Sequence, residues 1–234
     1  SARVHFTRGT FENPAEPPMF CMLLRKHLVG ARITAVAQPD FERMLVLDLD
    51  GRAELGTPVT KQLVVEMLGR QSNVILVSGD GHIIDCIRRV DSSMSETRQV
   101  QPGLFYRTPL RQDKPVLFDT TPEQRTQMLS APITAAMVDK WLLGLFSGVS
   151  PLLCREVCFR ALGDTSPRLE RLDDAQRARL AHELDALVFT VETNNLSPTM
   201  LLDGERPKDF SAVPILQYQG ALSSRGCGSF SELL

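Results

Sequence analysis

The sequence contains no long apolar run and none of the short motifs that mark common enzyme sites. No stretch approaches the roughly 20 apolar residues that a membrane-spanning helix needs, and none resembles a secretory signal. A search for GxSxG, HExxH, Walker and GxGxxG motifs or a CxxC pair finds none. We therefore expect a soluble protein with no membrane partner, no catalytic residue and no cofactor.

Cysteine is scarce and scattered. The five cysteines are odd in number and stand mostly among apolar residues, which is typical of free thiols in a reducing compartment and predicts a cytoplasmic location. Cys154 and Cys158 are four apart, so on a helix they share one face and could ligate a metal. Because no second pair or suitably spaced histidine accompanies them, we expect packing and no metal site.

Length and composition predict a globular protein. The 234 residues are 43% hydrophobic and 23% charged, which fits one large or two small packed domains. The hydrophobic period changes near residue 118, from two before it to about 3.6 after it. We therefore predict an α+β fold with a strand-rich domain over residues 1–118 and a helical domain over residues 119–234.

Alternating apolar and polar residues predict an antiparallel meander in the first domain. The predicted strands cover residues 3–8, 31–38, 44–50, 62–68, 73–78 and 82–89. Asp50-Gly51 and Gly79-Asp80-Gly81 are typical hairpin turns. An amphipathic helix is predicted to begin near Met19 and to stop at Gly30. Residues 91–115 lack periodicity, which predicts a long loop of a kind that often carries function.

Helical spacing dominates the second domain. The predicted helices cover residues 122–129, 134–146, 151–162 and 173–191, and Thr121-Pro122 is a typical helix start. A β-like segment over 200–218 and the start of a helix over 230–234 follow. The turn over 147–151 is either a helix-hairpin-helix unit that can hold a phosphate or a plain structural corner.

Charge is distributed unevenly along the chain. Residues 1–118 hold 15 Lys and Arg against 13 Asp and Glu, whereas residues 119–234 hold 11 against 15. If folding gathers the basic residues of the first domain, they form a face for nucleic acid; scattered, they are a solvated surface. The members of this candidate face are Arg25, Lys26, Arg32, Arg70, Arg88, Arg89, Arg98, Arg107 and Arg111.

Two acidic residues stand at predicted strand ends. Glu42-Arg43 immediately precedes the strand that begins at Met44, and Glu66 closes an otherwise apolar strand. Each is either a carboxylate with a function or part of a polar edge, and spacing alone does not distinguish the two.

Three segments, in the order in which the family has them, resemble the NFACT family of ribosome-associated quality control factors. They are ENPAEPPMFCMLLRKHL, LVVEMLGRQSNVILV and RQVQPGLFYRTP, with the Glu-Arg pair between the first two. Bacterial members are called RqcH or fibronectin-binding protein A homologues, and eukaryotic relatives include NEMF. The resemblance implies a β-sandwich-like domain similar to the N-terminal domain of formamidopyrimidine-DNA glycosylase, followed by a helix-hairpin-helix-type domain. It also implies a fragment, since the family's N-terminus, coiled coil and C-terminal RNA-binding domain are absent.

The resemblance further implies a function and site residues. Family members bind large ribosomal subunits that hold a stalled peptidyl-tRNA, and they recruit tRNA, alanyl-tRNA in bacteria, for untemplated tailing of the nascent chain. The tRNA-binding pair falls on Glu42 and Arg43, although many relatives have Asp at the first position, and a second patch falls on Glu66, Met67 and Leu68. The candidate RNA-facing basic residues are Arg25, Lys26, Arg70 and Arg98.

Two other classes stay open. The family name suggests a surface adhesin for fibronectin, which the unpaired cysteines and the missing export signal disfavour. A DNA-repair-like enzyme is disfavoured because the N-terminal proline nucleophile and zinc-finger cysteines of such a glycosylase are missing.

Overall fold

The computed structural model describes residues 2–53, 56–110, 112–130, 137–168, 170 and 172–233. The chain divides into two compact units, Ser1–Arg111 and Gln112–Leu234. The predicted boundary after residue 118 falls later than this division, because Leu117 is fully buried in the core of the second unit. Within the described residues, no helix has the length and apolarity to cross a membrane.

The described residues of the first unit form an α-helix, a five-stranded antiparallel sheet and two short 3-10 turns, Pro39–Phe41 and Gly69–Gln71. Its elements are α1 (Met19–Leu28), β1 (Arg32–Ala37), β2 (Met44–Arg52), β3 (Pro58–Glu66), β4 (Asn73–Ser78) and β5 (Ile83–Cys86). The strands lie side by side in chain order. The predicted meander is therefore present, as a single sheet among the described residues. None of the residues of α1 is buried.

Several predicted elements of this unit need correction. The strand expected over 3–8 is wrong: these residues are not assigned to a strand in the structure, and Phe6 is 91% exposed. The turn expected at Asp50-Gly51 is also wrong, because β2 continues to Arg52, which pairs with Pro58 of β3. The strand expected over 82–89 ends at Cys86. The side chain of Asn73 then replaces the ladder, donating to the carbonyl of Arg88 at 2.7 Å and accepting from its N–H at 3.0 Å.

One face of the sheet carries the core of this unit. The buried hydrophobic cluster on this face consists of Met44, Val64, Ile75, Val77, Ile83, Cys86 and Val100. Val100 belongs to the segment after β5, which returns over the sheet through a bridge between Val90 and Val100 and another between His82 and Phe105. The loop predicted over 91–115 thus begins as a folded cover over this face.

The second unit is helical with a small sheet. Its helices are α2 (Pro122–Leu129), α3 (Val138–Leu145), α4 (Pro151–Leu162), α5 (Asp174–Glu192) and α6 (Phe230–Leu233), and its strands are β6 (Thr199–Asp203), β7 (Arg206–Ser211) and β8 (Ser223–Gly226). The strand order is β7-β6-β8. Residues 134–136 of the helix predicted over 134–146 lie outside the described residues. The β-like segment over 200–218 resolves into β6 and β7. β8 escaped prediction because its Ser-Ser-Arg-Gly sequence lacks strand-favouring residues.

Local signals explain the helix starts. Thr121 and Asp173 each form a reciprocal capping box with the glutamine three residues later, and the Ser150 hydroxyl accepts from the N–H of Leu153 at 3.2 Å.

Cys154 and Cys158 pack in the core, where burial raises the pKa of the Cys154 thiol to about 12.

A buried carboxylate fixes the segment after β7. Glu156, 2% exposed, pairs with Arg160 at 2.7 Å. It also accepts the backbone N–H groups of Leu216 and Gln217 at 2.9 to 3.0 Å. Three donors thus converge on one carboxylate, which ties α4 to the chain that follows the β6–β7 hairpin.

The turn between α3 and α4 is held by hydrogen bonds to the segment that precedes α2. The N–H of Ser147 donates to the carbonyl of Pro115 at 2.8 Å, and the Ser147 carbonyl accepts from the N–H of Leu117 at 3.1 Å. Gly148 has φ +81°, and a Cβ there would meet the Phe118 ring at 3.3 Å. Since the N–H groups of Ser147 and Leu153 are both bonded within the protein, this geometry favours the structural corner over the phosphate site.

Candidate nucleic-acid interface

Glu42 and Arg43 follow a strained turn at the start of β2. Asp40 and Phe41 both have left-handed backbones, with φ of 51° and 54°, a conformation that costs non-glycine residues free energy and often marks functional sites. The turn is closed by the Glu42 N–H, which donates to the Pro39 carbonyl at 2.8 Å. Arg43 is exposed and Glu42 half-buried. Within the described residues, no ion pair or hydrogen bond engages either charged group.

The second predicted patch lies beside the first. Glu66 is opposite Met44 in the β2–β3 ladder, and the N–H of Met67 donates to the carbonyl of Arg43 at 2.7 Å. Met67 and Leu68 are half-buried. The structure therefore brings together two stretches that lie more than twenty residues apart in the sequence.

Further arginines reach the same end of the sheet. In an antiparallel meander, the start of β2, the end of β3, the start of β4 and the end of β5 lie at the same end of the sheet. Arg70 lies in a single helical turn after β3, and the Arg88 guanidinium donates to its carbonyl. Both arginines are exposed. We call this surface the Arg43 end; its residues are Glu42, Arg43, Met67, Leu68, Arg70 and Arg88.

Glu66 and Arg98 face each other inside the first unit. Glu66 is 1% exposed, and its two oxygens accept from the Arg98 guanidinium at 2.5 and 3.1 Å. The Tyr106 hydroxyl also donates to Glu66, at 2.8 Å. Burial and the adjacent carboxylate raise the pKa of Tyr106, so the phenol stays protonated and donates. RNA contact by Glu66 or Arg98 stays a prediction, but their charged groups are directed at each other.

Arg25 is exposed on α1, and Lys26 lies away from the Arg43 end. Lys26 lines a groove with Arg32 and Arg52, where β1 begins and β2 ends. Arg32 is paired there with Asp50 at 3.6 Å. Arg70 and Arg88 thus lie at one end of the sheet and Lys26 and Arg32 at the other, so the fold does not gather the candidate face into one surface. Arg111 lies outside the described residues.

Two residues of this region were not singled out from the sequence. Tyr106 stands within the quoted segment RQVQPGLFYRTP, but nothing in its spacing indicated the bond to Glu66. Asn73 is 5% exposed and is bonded through both ends of its amide to Arg88. A buried amide at the start of an apolar strand is the signal that could have marked it.

Comparison with protein-family models identifies the family of this chain. The family model described as NFACT N-terminal and middle domains matches residues 1–234. The chain belongs to the NFACT family. A relative from Bacillus subtilis (strain 168), named "Rqc2 homolog RqcH", is 39% identical over 161 residues, covering 68% of this chain and 28% of that protein. An "Archaeal Rqc2 homolog aRqcH" from Methanocaldococcus jannaschii is 26% identical over 232 residues, covering 94% of this chain and 31% of that protein.

Solved structures share this fold. The N-terminal part of the fibronectin/fibrinogen-binding protein from Streptococcus suis matches with a TM-score of 0.76 at 26% identity, covering 99% of this chain and 76% of that one. The predicted family is therefore confirmed, together with an α+β fold built on antiparallel sheets. This NFACT chain spans less than a third of the length of the curated relatives described above.

Proposed function

We propose that this chain is the RNA-binding part of a ribosome-associated quality control factor. In this proposal the whole protein binds large ribosomal subunits that hold a stalled peptidyl-tRNA. It recruits tRNA, alanyl-tRNA in bacteria, for untemplated C-terminal tailing of the nascent chain. Membership of the NFACT family and identity of 39% to a protein named "Rqc2 homolog RqcH" support the assignment.

The Arg43 end carries the proposal. It holds three exposed arginines, Arg43, Arg70 and Arg88, at one end of the sheet. A guanidinium can fork onto a phosphate or a base edge, and RNA recognition depends on such contacts. Glu42 has two roles open to it: it can accept from a base amine, or it can orient Arg43.

The proposed role is placement. The chain would hold tRNA and subunit in register while the peptidyl-transferase centre of the ribosome makes the bond, so no residue is assigned to catalysis and no cofactor is required. A cytoplasmic location fits this role and the free thiols of all five cysteines. The likeness to formamidopyrimidine-DNA glycosylase and the helix-hairpin-helix character of the second unit stay predictions within this proposal.

Replacing Arg43 by alanine tests the proposal. We expect weaker binding of a labelled alanine tRNA in a filter-binding assay, with an unchanged thermal unfolding midpoint because the side chain is exposed. Arg206→Ala is the matched control, since Arg206 is an exposed arginine of β7 in the second unit. Equal tRNA affinity of the wild-type, Arg43→Ala and Arg206→Ala proteins would refute the site.

A second candidate function rests on a structural relative. The Streptococcus suis protein that shares the fold is named for binding fibronectin and fibrinogen. Co-sedimentation with large ribosomal subunits and binding to immobilised fibronectin, measured on the same preparation, separate the two functions. Subunit binding supports the quality control role; fibronectin binding without ribosomal material supports the adhesin. A third reading, a DNA-repair-like protein, predicts preference for duplex DNA over tRNA in the same filter assay.

A further inference from the structure

The buried cluster of Glu66, Arg98 and Tyr106 adjoins the Arg43 end. Met67 follows Glu66 directly, and its N–H holds the Arg43 carbonyl at 2.7 Å. The Glu66 carboxylate is 1% exposed, and both of its oxygens accept hydrogen bonds inside the protein. A ligand at the surface therefore has no access to this carboxylate, although the family resemblance places Glu66 in a tRNA-binding patch.

Stability alone does not account for an ionic cluster at this place. Removing a carboxylate from water carries a desolvation penalty that pairing offsets only with good geometry. Apolar residues of similar volume commonly stabilise a core as well or better. What the ionic cluster adds is direction, because a two-pronged guanidinium–carboxylate pair fixes both orientation and distance.

The cluster fastens the segment after β5 to the end of β3. Arg98 grips Glu66 with two nitrogens while its Nε donates to the Arg107 carbonyl at 2.6 Å. The Arg98 guanidinium also lies 5.5 Å from the centre of the Tyr106 ring. Two points of the covering segment, at Arg98 and Tyr106, are thereby held against one residue of the sheet.

We propose that Glu66, Arg98 and Tyr106 are positioning residues, which hold the Arg43 end in the shape that binds RNA without touching the RNA themselves. This inference rests on the proposed function. Glu66 acts through Met67, whose N–H fixes the backbone at Arg43, and Arg98 and Tyr106 act through Glu66.

Two variants separate positioning from stability. Glu66→Leu combined with Arg98→Met replaces the ionic pair by apolar side chains, and Tyr106→Phe removes one hydrogen bond while keeping the ring. We expect each to bind the labelled alanine tRNA at least about fivefold more weakly. The thermal unfolding midpoint should fall by only a few degrees, since apolar side chains replace the pair in one variant, where the Tyr106 hydroxyl loses its acceptor, and the ring stays packed in the other.

The salt dependence of binding separates positioning from contact. Each arginine that contacts a phosphate contributes about 0.7 to 0.9 to the slope of log affinity against log salt concentration. Positioning residues leave that slope unchanged, whereas Arg43→Gln lowers it. An unchanged affinity in both cluster variants, or a slope lowered in the Glu66→Leu/Arg98→Met variant, overturns the inference.

Hydrogen exchange tests the same inference without RNA. If the cluster fixes the Arg43 end, Tyr106→Phe raises the exchange rate of the Met67 amide, roughly fivefold for one lost hydrogen bond. Amides of the second unit serve as the reference and keep their rates. An unchanged Met67 rate refutes positioning, whereas a wild-type chain that binds no tRNA refutes the proposed function and leaves the exchange result to decide the inference.

Discussion

The salt dependence of tRNA affinity gives a quantitative test of the Arg43 end. Arg43, Arg70 and Arg88 are its exposed arginines. If each neutralises one phosphate, the slope of log affinity against log salt concentration has a magnitude of about 2.1 to 2.7. Affinity then falls roughly 20- to 40-fold between about 50 and 200 mM salt.

Single substitutions should lower this slope one step at a time. Arg43→Gln removes one charge-assisted contact, worth about 1.5 kcal/mol or more, so affinity falls roughly tenfold. The slope should drop to about 1.4 to 1.8, and Arg70→Gln should act in the same way. Both side chains are exposed, so the fold should be unaffected.

The assay is fluorescence anisotropy of a labelled alanine tRNA titrated with protein at four or more salt concentrations. Arg206→Gln, on β7 of the second unit, is the control that should keep the wild-type slope. The reasoning fails if Arg43→Gln and Arg70→Gln both retain the wild-type slope, because the arginines then do not displace counterions from the RNA.

Two predictions concern the second unit, and the single tryptophan, Trp141 of α3, reports both by its fluorescence. Glu156→Gln removes the charge that three donors share, so the free energy of unfolding in urea should fall by about 2 to 4 kcal/mol. The control, Glu192→Gln, replaces an exposed carboxylate and should change the free energy of unfolding by less than about 0.5 kcal/mol. Equal effects of the two substitutions would contradict the role given to Glu156. The pKa of Cys154 is raised to about 12 in the folded protein, so above the ordinary thiol pKa the unfolded chain loses this proton while the folded chain keeps it. The stability that the buried thiol contributes is therefore complete below the ordinary thiol pKa and is lost as pH rises toward 12. Unfolding free energy should therefore decrease between pH 9 and pH 11 by up to about 1.4 kcal/mol per pH unit for this thiol, and Cys154→Ala should flatten that decrease.

Local signals made most elements of the fold predictable. The helix over 122–129 follows from a threonine cap and a proline at its first position. The structure shows comparable end signals for the helix over 151–162, with Ser150 as its cap and Gly163 in a left-handed backbone after its last turn. Strands were harder because a strand also needs a partner. Residues 3–8 alternate as a strand does but are not part of a strand in the structure, whereas β8 pairs with β6 despite its unfavourable composition.

The geometry of the candidate site was predictable only in part, because its contacts span long stretches of sequence. The resemblance named Glu42, Arg43 and Glu66, yet spacing could not show that Glu66 is turned inward. Its partners, Arg98 and Tyr106, lie 32 and 40 residues further along the chain. Periodicity detects neighbours three or four residues apart on a helix and two apart on a strand, so it carries no information on such pairs.

In the proposed RNA-binding surface, Arg43 and Glu66 have different roles. Arg43 is exposed, so its guanidinium can exchange water for a phosphate with little change in the fold. Glu66 is buried, so in the proposed mechanism its replacement affects RNA binding through the backbone at Met67 and Arg43. The two mechanisms differ in one measurable respect: loss of Arg43 changes how many counterions RNA binding releases, while loss of Glu66 changes the affinity and leaves that number as it was.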